Sequence, residues 1–197
     1  VVATSVLERE KPFVDKLSAQ DVPVLREDEE DVLARFVQAA EIEDADAVVR
    51  LTADCPLLMP DVSGKVVRAF KRKRQECDYA SNTIDRTYPR GLDTEVFPAQ
   101  VLQKIDREAT SPVDREHVTR YIRERPDQFR LCPVTEEVDR SDLRWTVDEE
   151  EDLELIQRIY EALGDRAMDA NYEDVLTVLE ERPDWTNINR QIEQKKC

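Results

Sequence analysis

The chain has 197 residues, 40% of them hydrophobic and 38% charged, so it can bury a core and carries too much patterned apolar sequence to be disordered throughout. Asp and Glu number 45 against 29 Lys and Arg, for a net charge of -16, which excludes a broad basic face for nucleic acid or an anionic membrane. With three glycines (Gly64, Gly91, Gly164) and one histidine (His117), the chain holds neither a glycine-rich phosphate loop nor a multi-histidine metal site.

In chain order, Val1–Ser5 and Val22–Arg26 read as short strands. Glu29–Glu41 reads as a helix, because Val32, Leu33, Phe36, Val37 and Ala40 fall on one stripe. Ala47–Thr52 fits a short buried strand. Asp61–Arg74 is helical, with Val62, Val66, Val67 and Phe70 on one side and a basic end that complements the helix dipole. Strands follow at Tyr79–Thr83 and Leu92–Phe97, and helices at Pro98–Ala109 and Asp114–Glu124. Phe129–Val134 and Leu143–Val147 read as strands. Glu149–Leu163 is a strong helix with Leu153, Ile156, Ile159, Tyr160 and Leu163 on one face and Gly164 as its stop. Asn171–Glu181 is the last full helix.

This alternation predicts an α/β fold with a mixed, mostly parallel sheet and an antiparallel excursion somewhere in residues 76–140. One domain over residues 1–164 with a helical appendage over 165–197 is the simplest division. The 21 arginines against 8 lysines, with so many acids, suggest adaptation to high salt, where screening removes self-repulsion; an ordinary acidic protein is the alternative. Cys55, Cys77, Cys132 and Cys197 are scattered without a C-x-x-C pair, so neither zinc nor a disulfide framework is expected. No apolar stretch is long enough to span a membrane and no signal peptide is visible, so a reduced cytoplasm is the expected location.

Chemistry in open α/β sheets gathers at the carboxyl ends of strands. Asp54 follows one such strand in Arg50-Leu51-Thr52-Ala53-Asp54-Cys55-Pro56, and Asp148 ends another in Arg144-Trp145-Thr146-Val147-Asp148. Two carboxylates without a histidine or cysteine cluster suit Mg²⁺, which takes one or two carboxylates plus phosphate oxygens and water. The plain alternatives are a helix N-cap for Asp148 and a turn residue for Asp54. In Arg90-Gly91-Leu92-Asp93-Thr94-Glu95, an arginine beside paired acids suits a polyol or sugar acid, or else a turn with a wet strand face. His117 sits alone on a helix, a position that more often caps or packs.

Taken together, VVATS at 1–5, EDVLARF at 30–36, VVRLTADCPL at 48–57, DYASNT at 78–83, RTYPRGLDTEVF at 86–97, REHVT at 115–119 and LRWTVDEEEDLEL at 143–155 resemble the cytidylyltransferases of the spore coat polysaccharide type, relatives of the acylneuraminate and KDO cytidylyltransferases. The resemblance implies a three-layer α/β/α, Rossmann-like nucleotide-diphospho-sugar transferase fold. It implies transfer of a cytidylyl group from CTP to a sugar, with Asp54 and Asp148 as catalytic residues holding Mg²⁺. It places Glu30, Asp31, Arg35, Arg50 and Thr52 at the nucleotide, and Arg90, Gly91, Asp93, Glu95 and His117 at the sugar. The family's first strand, its basic triphosphate loop of the kind R-x-x-S-x-R-x-P-x-K and its first helix have no counterpart here, since Val1 matches the second strand. The expectation is therefore a truncated form whose own turnover is in question, with an exposed sheet edge that makes a homodimer possible. Two other readings stay open: a non-catalytic sugar- or nucleotide-binding member, and a glycosyltransferase using Asp44-Ala45-Asp46 as a D-x-D motif, although that motif precedes its strand.

Overall fold

The computed structural model describes residues 1–193; Cys197 and the end of the expected C-terminal appendage lie outside the described residues. The chain forms two compact units, Val1–Val48 with Phe97–Arg130, and Val49–Val96 with the residues from Leu131 onward.

In the first unit, strands Val2–Ser5 (β1) and Val24–Glu27 (β2) pair in parallel, Val2 opposite Val24 and Ser5 opposite Glu27. Helix Lys11–Ser18 (α1) joins them, a connection whose helix the apolar pattern had not revealed because it buries no residue fully. Helix Val32–Ile42 (α2) starts at Asp31, whose carboxylate accepts from the Ala34 N–H at 3.0 Å and caps the orphan donors of the first turn. It packs on helix Ala99–Glu108 (α4), which buries Val101, Leu102 and Ile105. The expected single helix over 114–124 is instead Pro112–Glu116 (α5) and Arg120–Arg123 (α6). The break is at Val118, which is buried at φ 49. A β-branched residue avoids the left-handed region, so this corner is held against its own preference. Asp114, 4% exposed, ties it by an ion pair to Arg120 at 2.7 Å.

The remaining elements are Ala47–Arg50 (β3), Pro60–Arg72 (α3), Tyr79–Ser81 (β4), Glu95–Pro98 (β5), Leu131–Pro133 (β6), Glu150–Leu163 (α7) and Tyr172–Glu181 (α8). The four-stranded sheet has the order β3-β5-β4-β6. β4 runs antiparallel to β5, the expected excursion, and parallel to β6. Residues Leu143–Val147 do not form the expected strand; they make one parallel bridge, Arg90 with Arg144. Gly91 lets the two segments run so close there, because a Cβ at this position would meet the backbone of Trp145. The core of the second unit contains Leu57, Met59, Val62, Leu92, Trp145, Ile159 and Tyr172. The buried face of α7 is Asp152, Leu155, Ile156, Ile159 and Leu163, so Leu153, expected on the apolar face, points to solvent. Gly164 ends α7 at φ 55, where a residue with no Cβ is favoured. Cys77 and Cys132, expected to be free, form a disulfide beside the β4–β6 pair, with Cα atoms 6.0 Å apart; sequence spacing did not show it because 55 residues separate them.

Candidate active site

The second unit brings together most of the residues singled out from the sequence. Asp54 follows β3 in a loop whose carbonyl accepts from the Val147 N–H at 2.9 Å and from Thr146 Oγ1 at 3.0 Å. The residue next to Asp148 is thus bonded directly to Asp54, and the two acids emerge from neighbouring segments. The Asp54 carboxylate accepts from Thr146 Oγ1 at 3.1 Å and from Cys55 Sγ at 3.6 Å. Burial raises its pKa, but hydrogen bonds from Thr52, Thr146 and Cys55 outweigh that and hold it below the usual carboxylate range, so it is ionised. Cys55 beside it is pushed up to about 12 by burial and by Asp54 and Asp93, against a hydrogen bond from Thr52. That thiol stays protonated and packs rather than reacts.

Asp148 has a half-exposed side chain, and Arg144 Nη2 donates to its Oδ2 at 2.6 Å. Arg144 also grips Asp152, by Nε to Oδ1 at 2.9 Å and Nη2 to Oδ2 at 2.9 Å. The Asp152 carboxylate further accepts from the backbone N–H groups of Asp148 and Glu149, each at 3.1 Å, and from Asn189 Nδ2 at 2.8 Å. Burial raises the Asp152 pKa, and these hydrogen bonds, Arg144 first, bring it below normal.

The sugar-side candidates divide. Asp93 is gripped by both terminal nitrogens of Arg86, at 2.6 and 2.7 Å. Glu95 turns into the sheet, where Arg50 and Tyr79 donate to it, and its side chain is 7% exposed. Arg50 and Glu95 therefore face each other. Arg90 sits among like charges; burial, Arg86 and Arg144 lower its pKa against the pull of Asp93. It lines a cavity of about 70 Å³ together with Ser141, Asp142, Arg144, Asn189 and Arg190. Gly91 contributes backbone only.

In the first unit, Glu30 is exposed and Asp31 accepts from Arg115 Nε at 2.7 Å. Burial raises the Asp31 pKa, and Arg115, the Ala34 N–H and Arg35 together lower it. Arg35 is buried and donates to the Glu29 carbonyl at 3.2 Å. His117 ends α5, and its carbonyl accepts from the Thr119 and Arg120 N–H groups. A cavity of about 210 Å³ beside α2 and α4, lined by Val37, Glu41, Asp44 and Leu102 among others, includes none of these residues.

Sequence reasoning passed over Arg144, Asp152, Asn189, Arg86 and Thr146 as site residues. Asp152 did carry a signal: it is an acid at a core position of an amphipathic helix, three residues before Leu155. Asn189 carried none, because its partners lie 37 and 45 residues away.

Among the described residues no group of three or more His, Cys, Asp or Glu side chains is placed to hold a metal. The two acids singled out from the sequence, Asp54 and Asp148, are hard oxygen donors. Two hard oxygen donors fit Mg²⁺ completed by phosphate and water oxygens, and do not fit zinc. No helix among the described residues is long and apolar enough to cross a membrane.

Comparison with known proteins gives this geometry a family. A cytidylyltransferase family model matches residues 1–180. The spore coat polysaccharide biosynthesis protein SpsF of Bacillus subtilis is 32% identical over 187 residues, covering 93% of this chain and 75% of that protein. An uncharacterized protein of Methanocaldococcus jannaschii is 29% identical over 197 residues, covering 99% of this chain and 78% of that protein. The solved structure of a cytidylyltransferase from Leptospira borgpetersenii serovar Hardjo-bovis superposes with a TM-score of 0.89 at 27% identity, covering 99% of this chain and 80% of that one. The expected nucleotide-diphospho-sugar transferase fold is thereby the fold of the chain. The chain belongs to the cytidylyltransferase family, in the type represented by the spore coat polysaccharide biosynthesis protein.

Proposed function

We propose that the protein transfers a cytidylyl group from CTP to a sugar for surface polysaccharide or glycan synthesis, releasing pyrophosphate, with Asp54 and Asp148 as the residues that hold Mg²⁺. The observation that carries this reading is the Val147–Asp54 backbone bond, which sets the two acids on adjoining segments while Thr146 fixes the Asp54 carboxylate. When bound, the metal supplies positive charge against the negative charge that builds on the α-phosphate as a sugar oxygen attacks.

The chain's own groups have the following roles in this reading. Thr52 and Thr146 keep Asp54 ionised and oriented. Arg144 draws Asp148 toward one rotamer. Arg90, crowded by Arg86 and Arg144 and set at the wall of a small cavity, is the cation with most to gain from an anionic or polar sugar group. Asp93, with Gly91 shaping the backbone before it, presents a fixed carboxylate for sugar hydroxyls. Arg50 and Glu95 support the sheet beneath. For the first unit, the roles of Glu30, Asp31 and Arg35 at the nucleotide and of His117 at the sugar rest on the family resemblance.

The test is pyrophosphate release from CTP with Mg²⁺ across a panel of sugars, with formation of the CMP-sugar followed by mass spectrometry. Turnover with one sugar class, removed by Asp54→Asn and by Asp148→Asn in folded protein, is the expected result. CTP binding without turnover across the panel would favour a non-catalytic nucleotide-binding member instead.

A further inference from the structure

We propose that Asp152, Arg144 and Asn189 form a positioning set that fixes the Asp148 carboxylate for metal binding; the inference rests on the role given to Asp148 above. Asp152 is fully buried on α7. Its carboxylate receives the Arg144 guanidinium on both oxygens and Asn189 Nδ2 on Oδ1. It also receives the N–H groups of Asp148 and Glu149 on Oδ2. Asn189 closes the set by donating to the Arg144 carbonyl at 2.9 Å.

Capping the start of α7 explains the bonds to the Asp148 and Glu149 N–H groups. It does not explain the arginine. A buried ion pair is a poor source of stability, because desolvation cancels much of its attraction. What this pair adds is directional. The same Arg144 Nη2 that bonds Asp152 also bonds the exposed Asp148 carboxylate at 2.6 Å. Asp148 is thus held by its backbone N–H through Asp152 and by its side chain through Arg144, with both holders locked by one buried carboxylate. Arg144 engages Oδ2, and carboxylates that ligate metals are commonly fixed by such hydrogen-bonded partners, whose loss costs about 10–100-fold in metal affinity or activity. Asn189 brings the C-terminal segment into this role.

The test measures Mn²⁺ affinity by electron paramagnetic resonance alongside kcat and KM for CTP, in Arg144→Lys, Asn189→Ala and Asp148→Asn. Circular dichroism identifies folded protein, and Asn189→Ala keeps the buried ion pair if Arg144→Lys does not fold. The expected result is Mn²⁺ affinity and kcat reduced by about 10–100-fold in Arg144→Lys or Asn189→Ala, with KM for CTP held within about twofold. A lowered melting temperature with Mn²⁺ affinity and kcat unchanged would reduce the set to a helix support and overturn the inference. If Asp148→Asn abolishes Mn²⁺ binding while the other variants keep it, the inference alone fails. If Asp148→Asn binds Mn²⁺ normally, the active-site reading fails and the inference falls with it.

Discussion

Gly91 lies against the backbone of Trp145 so closely that a Cβ at position 91 would come 2.5 Å from the Trp145 carbonyl carbon and 2.7 Å from its oxygen. Gly91 also adopts φ 99, which L side chains rarely take. The contact is what lets Arg90 and Arg144 bridge in parallel, with the Arg90 N–H on Leu143 O at 3.0 Å and the Trp145 N–H on Arg90 O at 2.7 Å. Two segments rich in candidate residues are fastened at this one point.

Gly91→Ala is therefore expected to cost about 2–5 kcal/mol, from strain at positive φ and from overpacking against backbone that cannot move aside. Urea unfolding with an unchanged m-value and a lower midpoint checks it. A change within about 0.5 kcal/mol, typical of a neutral surface site, would show that the contact relaxes freely.

Glu95→Gln is expected to destabilise strongly, by about 3–5 kcal/mol, because it removes one charge of the buried Arg50–Glu95 ion pair. Its effect on KM for the sugar, measured below the melting temperature, is expected to be small. A large KM effect in stably folded protein would return Glu95 to the substrate.

The Asp31–Arg115 pair makes a pH prediction. Asp31 has a folded pKa below its ordinary value, so its contribution is present above about pH 4 and is lost as pH falls through the folded value. Asp31→Asn is expected to flatten the fall in stability between pH 4 and the acid limit while leaving most of the α2 cap in place. Parallel pH-stability curves for the two proteins would refute it.

Reduction of Cys77–Cys132 is expected to lower stability by about 4 kcal/mol if loop closure across 55 residues dominates. Non-reducing peptide mapping should recover the linked pair, and dithiothreitol should lower the melting temperature. Four thiols titrating in the unfolded, unreduced protein, instead of the two of Cys55 and Cys197, would exclude the bond.

The net charge of -16 predicts a melting temperature that rises from low to molar KCl, since screening relieves repulsion among the acids. A flat or falling melt would identify an ordinary acidic protein.

The sequence by itself determined the α/β alternation, because most helices and strands announce their buried faces through local periodicity: Val62, Val66 and Phe70 on α3 are an instance. It also determined the family, through motifs such as RTYPRGLDTEVF and LRWTVDEEEDLEL that sit in fixed order. The sequence singled out Asp54 and Asp148 as strand-end acids, but only Asp54 follows a strand, because Leu143–Val147 makes a single bridge in place of the expected strand. What only the tertiary structure decided depends on partners distant along the chain. It turned Leu153 outward and Asp152 inward, because the Arg144 and Asn189 donors that make a buried carboxylate tolerable are invisible to periodicity. It split the helix expected over 114–124 at Val118, a left-handed residue that local preference forbids and the surrounding packing imposes. It joined Cys77 to Cys132, and it turned Glu95 onto Arg50, 45 residues away, rather than toward a ligand. Local preference reaches only a few residues along the chain, whereas the charge and hydrogen-bond partners of a buried polar group are chosen by the fold.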